Sequence, residues 1–340
     1  MKKNILFSIA FSVLLSATLV SCGPLMQKPV PDKSTSIESS AQFDLMGEII
    51  PYYNTLYFMD GQGYEFKNAS SNKLIITLDG GPGWNRNRVG AIGDKVYQYH
   101  FVDWLLNFYD EYNIFVPEKF DWGRLVNPFW DIKNREKYTI DNLVLNYEGV
   151  IKEYLSQNDY GTIIIAGVSE GGIIAPELYL LLEDFNISGL IIISAGGLIA
   201  PVDITAARLK KPLDDESIRQ YTDTFYQYLA TYSGERYADS PDEVQYRRTG
   251  QVYTPLMWRY SMNTRRPFEL YKKINIPVLF IHGLLDTTVS VIATRYVEEN
   301  LPEKSFDFIY YPEMGHGLAT IGELKRMRAD IADWLWEKGL

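Results

Sequence analysis

A strand, a tight turn and a helix follow one another between residues 162 and 180, and this segment constrains the fold most strongly. The run 162–166 (Thr-Ile-Ile-Ile-Ala) is apolar and β-branched, as is typical of a buried strand. It leads through Gly-Val-Ser-Glu-Gly at 167–171 into an apolar helical pattern. Glycine fits at both ends of this turn because a sharp strand-to-helix turn leaves no room for a Cβ atom. The segment therefore predicts that Ser169 stands at the apex, where the first amides of the helix face any negative charge beside it.

Apolar runs of strand length recur along the chain and alternate with helical patterns. The predicted strands are 48–60, 64–67, 73–79, 112–116, 162–166, 187–194, 276–282 and 306–311, and the first two form a hairpin. The predicted helices are 96–109, 139–157, 171–183, 289–300 and 322–338. This alternation predicts an α/β fold, with a mostly parallel, doubly wound sheet that helices cover on both faces.

The stretch from Pro201 to Lys273 contains no strand-like run, and it is charged, rich in tyrosine and helical in character. A connection of this length is uncommon inside a compact domain, so the sequence predicts an inserted helical lid at 201–273. The core then comprises 45–200 and 274–340. The lid aromatics are expected either to line a substrate pocket or to pack the lid onto the body. They are Tyr221, Phe225, Tyr226, Tyr228, Tyr232, Tyr253, Trp258 and Tyr260.

The amino terminus is expected to be a targeting signal followed by a tether. Lys2 and Lys3 precede an apolar stretch that is too short and too often broken by serine to span a membrane. The stretch ends in Leu-Val-Ser-Cys at 19–22, which resembles the lipobox of bacterial lipoproteins. This resemblance implies a signal peptide at 1–21, a lipid on Cys22, a tether at 22–44 and a protein anchored to a membrane of the bacterial cell envelope. The alternative is an ordinary cleaved signal with a chance cysteine.

Composition excludes several classes of protein. Cys22 is the only cysteine, so a disulfide, a catalytic thiol and a thiolate metal site are all excluded from the mature chain. The formal net charge of −10 and the lack of a basic stripe argue against a nucleic-acid partner. A hydrophobic content of 46% is sufficient for a large buried core.

Activation of a serine hydroxyl requires a base within hydrogen-bond reach, usually a histidine that a carboxylate orients. Of the three histidines, His100 falls in a helical pattern, where a surface or packing role is expected. His282 ends a predicted strand and is expected to pack or to cap the turn. His316 lies in a glycine-flanked loop after the last predicted strand, at the sheet edge where doubly wound folds bind ligands. His316 is therefore the predicted base.

The predicted carboxylate is Asp286, which follows the strand 276–282 at the same edge of the sheet. It is expected to accept the Nδ1–H of His316 and so to fix the tautomer of the ring. The alternative is that Asp286 caps the amino end of the helix 289–300, a role that Thr287 or Thr288 fills equally well.

Two backbone amides are expected to hold a developing oxyanion, those of Glu170 and Gly81. Gly81 belongs to the glycine-rich loop 78–83, which directly follows a buried strand. An ordinary Gly-Pro-Gly turn is the alternative. A phosphate-binding loop is disfavoured, because the segment lacks both the P-loop lysine and a following G-x-G-x-x-G.

The side chain of Glu170 has two candidate roles. It either receives the amino group of a substrate or forms a buried ion pair with an arginine, and the second role is favoured. A carboxylate beside the nucleophile disfavours an oxyanion unless a positive charge neutralises it. The candidate partners are Arg86, Arg88 and Arg124.

The order of the Gly81 loop, Ser169, Asp286 and His316 resembles the α/β-hydrolase fold over about residues 45 to 340. Within that superfamily, the loop 79–83 resembles the His-Gly-Gly-Pro-Gly loop of proline iminopeptidase-like enzymes. The tripeptide 122–124 (Trp-Gly-Arg) resembles part of their Gly-Trp-Gly-Arg stretch. Asp79 replaces the histidine of that loop, and Glu170 stands where those enzymes carry tryptophan. The resemblance therefore supports the fold and the triad more than a peptidase specificity.

The resemblance implies a serine hydrolase that cleaves an ester or amide bond of a small substrate through an acyl-enzyme. Its partners are expected to be a small ester or peptide substrate and, through the lipid, a membrane. It implies no metal ion and no organic cofactor. A proline iminopeptidase-like aminopeptidase is one alternative, and a lipoprotein that keeps the fold but only binds a ligand is another.

Overall fold

The structure is a computed structural model that describes residues 56–59, 63–80, 90–92, 95–97, 110–117, 139–211, 261–316 and 321–340, with positions 105, 108, 216 and 220. The predicted signal peptide, tether and lipidation site at Cys22 lie outside these residues. His100, Gly81 and the three candidate arginine partners of Glu170 also lie outside them.

Eight of the described strands form one sheet. The strands are β1 Leu56–Met59, β2 Gly63–Phe66, β3 Lys73–Leu78, β4 Gly90–Ile92, β5 Lys95–Tyr97, β6 Asn113–Pro117, β7 Thr162–Val168, β8 Ile187–Ile193, β9 Val278–Gly283 and β10 Phe306–Tyr311. The sheet has the order β1-β2-β6-β3-β7-β8-β9-β10, and β4 pairs with β5 separately. The pairs β1–β2 and β2–β6 are antiparallel, and every pair from β6 to β10 is parallel. The predicted hairpin and the mostly parallel sheet are therefore confirmed.

Six described helices accompany the sheet. They are α1 Ile140–Ser156, α2 Glu170–Leu181, α3 Pro201–Arg208, α4 Pro267–Tyr271, α5 Ile292–Asn300 and α6 Ile321–Lys338. The predicted helix 96–109 is wrong at its start, because Lys95–Tyr97 is a strand that pairs with Gly90–Ile92. Val96 and Tyr97 are both good strand formers, and they pair with Ala91 and Gly90 respectively. No helix among the described residues has the length and apolarity needed to cross a membrane.

The sheet is buried on both faces, which explains why its strands read as continuous apolar runs. In β7, Ile163 and Ile165 enter one layer of the core, whereas Ile164 and Ala166 enter the other. Helices α1, α2, α4 and α5 cover the first layer, and α6 covers the second. The α6 side chains in the second layer are Leu324, Met327, Ile331, Trp334 and Leu335. The doubly wound arrangement predicted from the alternation is confirmed.

Both ends of the predicted lid pack on the body of the protein. Tyr271 of α4 is fully buried, and its ring centroid lies 5.0 Å from that of Phe280 in β9. The guanidinium of Arg266 donates to both oxygens of Asp203 in α3, at 3.2 and 3.1 Å, and so joins the two ends. The lid itself stays a prediction, because its aromatic residues from 221 to 260 lie outside the described part of the chain.

Candidate active site

The turn between β7 and α2 presents Ser169 in a backbone conformation that is rare for a residue with a side chain, with φ 53° and ψ −115°. Such conformations cost on the order of 1–3 kcal/mol and persist only when their surroundings enforce them. The N–H of Ser169 donates to the carbonyl of Ile193 in the neighbouring strand at 2.8 Å, and its own carbonyl accepts the N–H of Ile173 at 3.0 Å. These two bonds hold both sides of the turn.

Two glycines allow this turn to form. A Cβ atom on Gly167 would lie 2.4 Å from the carbonyl oxygen of Gly171. One on Gly171 would lie 2.0 Å from the carbonyl oxygen of Leu78 in β3. Any side chain at either position would therefore force the backbone apart, as the sequence pattern predicts.

Three predicted site residues meet at the carboxyl edge of the sheet. The Nε2 atom of His316 lies 3.1 Å from the Oγ of Ser169. On the other side of the ring, Nδ1 lies 2.8 Å from Oδ2 of Asp286. Residues from the ends of β7, β9 and β10 thus form one continuous hydrogen-bonded chain. Ser169 is half-buried, whereas the side chain of Asp286 is fully buried.

Backbone contacts fix the two loops that carry this chain. The N–H of Leu284 donates to the carbonyl of Tyr311 at 2.9 Å, and that of Leu285 donates to the carbonyl of Met314 at 3.0 Å. A Cβ atom on Gly283 would lie 2.1 Å from the same Met314 oxygen, so only glycine permits this approach. The loop after β9 therefore sets the position of the loop that presents His316.

Asp286 uses its two carboxylate oxygens for different purposes. Oδ1 accepts the backbone N–H groups of Thr288 and Val289, each at 2.8 Å, while Oδ2 faces His316. The helix begins only at Ile292, after the N-cap residue Val291, so the N-cap role considered for Asp286 is wrong. The aspartate instead closes the turn that precedes the helix, and this turn fixes the orientation of its carboxylate.

The same contacts set the charge of Asp286. Burial raises the pKa of its carboxyl, but hydrogen bonds from His282 and His316, the charge of His316 and the backbone N–H of Val289 lower it by more. The net pKa lies well below the ordinary value, so the carboxylate is ionised at neutral pH.

Sequence reasoning missed one contact of the site. His282 is fully buried, as expected for a packing residue, but its Nε2 lies 3.4 Å from Oδ2 of Asp286. The only available signal was the spacing, since His282 and Asp286 lie four residues apart at one strand end. Spacing in a loop does not determine whether two side chains touch.

The structure describes only part of the predicted oxyanion site. Glu170 is the first residue of α2, directly after Ser169, and it is 1% exposed. Gly81 lies outside the described residues, but a Cβ atom on its neighbour Gly80 would lie 2.9 Å from the Cβ of Ser169. The first described part of the glycine-rich loop after β3, at Gly80, therefore lies against Ser169.

No protein-family model and no curated protein matches the chain. Solved structures do resemble it. Est1E from Butyrivibrio proteoclasticus matches with a TM-score of 0.53 and 15% identity, over 83% of this chain and 97% of that chain. The acylaminoacyl peptidase of Pyrococcus horikoshii matches with a TM-score of 0.50 and 13% identity, over 84% of this chain but only 42% of that chain.

These likenesses cover most of this chain at low sequence identity, and they show the fold alone. The protein has the α/β-hydrolase fold. This confirms the fold class predicted from the sequence, while the identities are too low to carry an activity from either structure to this chain.

The pKa of Asp286 predicts how its contribution to stability depends on pH. Because the folded-state pKa is depressed, the stabilisation is present above the unfolded value of about 3.9 and is lost as the pH falls toward the folded value. We expect Asp286→Asn to lower the free energy of unfolding by about 1–3 kcal/mol at pH 7 and by less at pH 3.5. Urea denaturation at the two pH values measures both differences.

The matched control is Asp184→Asn, which changes an exposed aspartate and should leave the free energy of unfolding nearly unchanged at both pH values. An effect of Asp286→Asn that is equal at pH 7 and pH 3.5 would contradict the assignment of a depressed pKa.

Proposed function

We propose that the protein is a serine hydrolase that cleaves an ester or amide bond of a small substrate. One observation carries the proposal: the hydrogen-bonded chain from Ser169 through His316 to the buried carboxylate of Asp286, at 3.1 and 2.8 Å. A hydroxyl, an imidazole and a carboxylate in this order form an activated nucleophile. The left-handed backbone at Ser169 supports the same role, because strained conformations concentrate at functional sites.

Each side chain then has a defined task. His316 accepts the Ser169 proton at Nε2 while Oγ attacks the substrate carbonyl carbon, and it later donates this proton to the leaving group. The ionised carboxylate of Asp286 accepts the Nδ1–H of His316, which orients the ring and stabilises the imidazolium that forms. Water, activated by the same imidazole, then attacks the acyl-enzyme and regenerates the Ser169 hydroxyl.

The developing negative charge also needs donors. The backbone N–H of Glu170 belongs to the first turn of α2, where the helix dipole favours an anion. We assign a second donor to the N–H of Gly81, since its neighbour Gly80 already lies against Ser169. Loss of one such donor costs on the order of 3 kcal/mol of transition-state stabilisation.

The scissile bond belongs to the ester or amide class. One of the resembling structures is named as an acylaminoacyl peptidase, which fits the amide part of this class and does not exclude an ester. The proline iminopeptidase-like alternative rests on the loop 79–83 and on Glu170 as a receiver of an amino group. Turnover of aminoacyl-naphthylamides compared with short esters separates the two substrates. A lipoprotein that only binds a ligand would not need the assembled hydrogen-bonded chain.

Replacing the nucleophile tests the proposal. We expect Ser169→Ala to lower kcat/KM on short-chain p-nitrophenyl esters by about 10⁴-fold or more, because alanine has no hydroxyl to form the acyl-enzyme. The control is Ser188→Ala, which removes a serine near the opposite end of the neighbouring strand β8. It should hydrolyse the esters at the wild-type rate. Equal turnover by wild type and Ser169→Ala would refute the proposed function.

We also propose that a lipid on Cys22 anchors the hydrolase to a membrane of the cell envelope. The support is the Leu-Val-Ser-Cys sequence at 19–22 after a short apolar stretch with a positive start. The polar tether that follows Cys22 would hold the catalytic domain away from the membrane surface.

Fractionation of a bacterial host that expresses the chain tests the anchor. We expect wild type and Ser169→Ala to remain with the membranes, and Cys22→Ser to appear in the soluble fraction, since the variant has no thiol to lipidate. Equal membrane recovery of Cys22→Ser and wild type would contradict the lipid anchor.

A further inference from the structure

His282 meets oxygen atoms at both ring nitrogens. Its Nδ1 lies 2.7 Å from the hydroxyl oxygen of Thr294 in α5. Its Nε2 lies 3.0 Å from the carbonyl oxygen of Val289 and 3.4 Å from Oδ2 of Asp286. The ring is fully buried, so these oxygens take the place of water around it.

Three of these oxygens can act only as acceptors. The two groups at Nε2, a carbonyl and an ionised carboxylate, carry no proton and so can only accept a hydrogen bond. The hydroxyl of Thr294 has one proton, and it donates this proton to the carbonyl oxygen of Ala195 at 2.8 Å. The Thr294 oxygen can therefore only accept from Nδ1 of His282. Each ring nitrogen needs a proton of its own.

A neutral ring would not fit these surroundings. It carries one proton, so either the lone pair of one nitrogen would face an oxygen lone pair, or the Thr294 hydroxyl would donate to Nδ1 and leave the Ala195 carbonyl without its donor. A buried polar atom without its hydrogen bond carries a substantial penalty. With two protons, the ring satisfies Thr294 and Val289 and places a positive charge beside Asp286.

We propose that His282, protonated at both ring nitrogens, is a second histidine of the site, a positioning residue that holds the same carboxylate oxygen of Asp286 as His316 does. The inference rests on the proposed function and deepens it. Asp286 then contacts two imidazoles, one that exchanges a proton with Ser169 and one that keeps its protons. The hydrogen bonds that depress the pKa of Asp286 include one from each ring.

The arrangement alters the proton affinity of the site. When His316 accepts the Ser169 proton, the carboxylate of Asp286 stabilises the new charge, but the charge on His282 partly offsets this effect. The charge on His282 therefore makes a second positive charge, on His316, less favourable than it would be beside the carboxylate alone. The cation beside Asp286 widens the active range on the acid side.

Other titratable and charged groups lie on the strands and the helix that pack around His282. Tyr310 of β10 is the register partner of His282, and its hydroxyl donates to Glu298 at 2.7 Å. The guanidinium of Arg295 lies 5.5 Å from the centre of the Tyr310 ring. On the β8 side, the N–H of Ser194 donates to the Ile281 carbonyl, and Ser194 is not titratable. Glu298 and Arg295 carry opposite charges, and neither changes in the variants below.

The test is the pH profile of kcat/KM on a p-nitrophenyl ester for wild type and His282→Gln. Glutamine keeps an amide donor for Val289 but carries no charge. We expect the midpoint of the acid limb to move upward by about one pH unit, because the cation that disfavours a second positive charge is gone. The control is Lys272→Gln, which removes an exposed positive charge at the carboxyl end of α4. It should leave the midpoint of the acid limb unchanged.

A second variant, Thr294→Val, tests the proposal even if His282→Gln does not fold. Thr294→Val keeps the ring but removes the acceptor of its Nδ1 proton, so the midpoint should move in the same direction by a smaller amount. A folded variant with lower activity and an unmoved midpoint overturns the proposal, because a merely structural histidine behaves in this way.

Nitrogen-15 NMR of the His282 ring separates this inference from the proposed function. The signals are assigned by their loss or shift in the two variants and recorded at pH 6 in the full chain. Two protonated nitrogens support the proposal, and one overturns it, whether or not the protein turns over an ester. A wild type that hydrolyses no ester and no amide refutes the proposed function, and with it a role for His282 in catalysis.

Discussion

The left-handed backbone of Ser169 depends on the absence of side chains at Gly167 and Gly171, and the rest of the site is arranged around this turn. Carbonyl oxygens of Gly171 and Leu78 occupy the space that Cβ atoms at those positions would need. The close packing brings the ends of β7, β3 and α2 together beside one hydroxyl. It also places that hydroxyl 3.1 Å from the imidazole of His316. Steric exclusion by the backbone thus determines where the Ser169 hydroxyl lies.

The second constraint is the position of one buried carboxylate. Asp286 accepts two backbone amides on one oxygen and faces two histidines on the other. This set of donors compensates for burial of the charge, which would otherwise be strongly unfavourable. The carboxylate thereby joins the loops after β9 and β10 and orients the ring that faces Ser169. Packing of the loops and chemistry of the site rely on the same hydrogen bonds.

The periodic parts of the fold could be predicted from the sequence, because strands buried on both faces, such as Thr162–Val168, read as apolar runs. The positions of Ser169, Asp286 and His316 were also predictable, since each follows a strand of a parallel sheet and such ends meet at one edge. The strand Lys95–Tyr97 was not, because its three residues give no period and depend on pairing with Gly90–Ile92. The contact of His282 with Asp286 could not be predicted either, since it depends on how the loop after β9 folds back toward that strand.

The central claim is that Ser169 is a nucleophile activated by His316 and Asp286. A fluorophosphonate probe reacts with such a serine by forming a bond from Oγ to phosphorus, with release of fluoride and transfer of the hydroxyl proton to the base. Peptide mapping of the labelled full chain by mass spectrometry is the most direct test. The account predicts one adduct, on Ser169, that disappears in His316→Ala. An unlabelled Ser169, or equal labelling with and without His316, would contradict it.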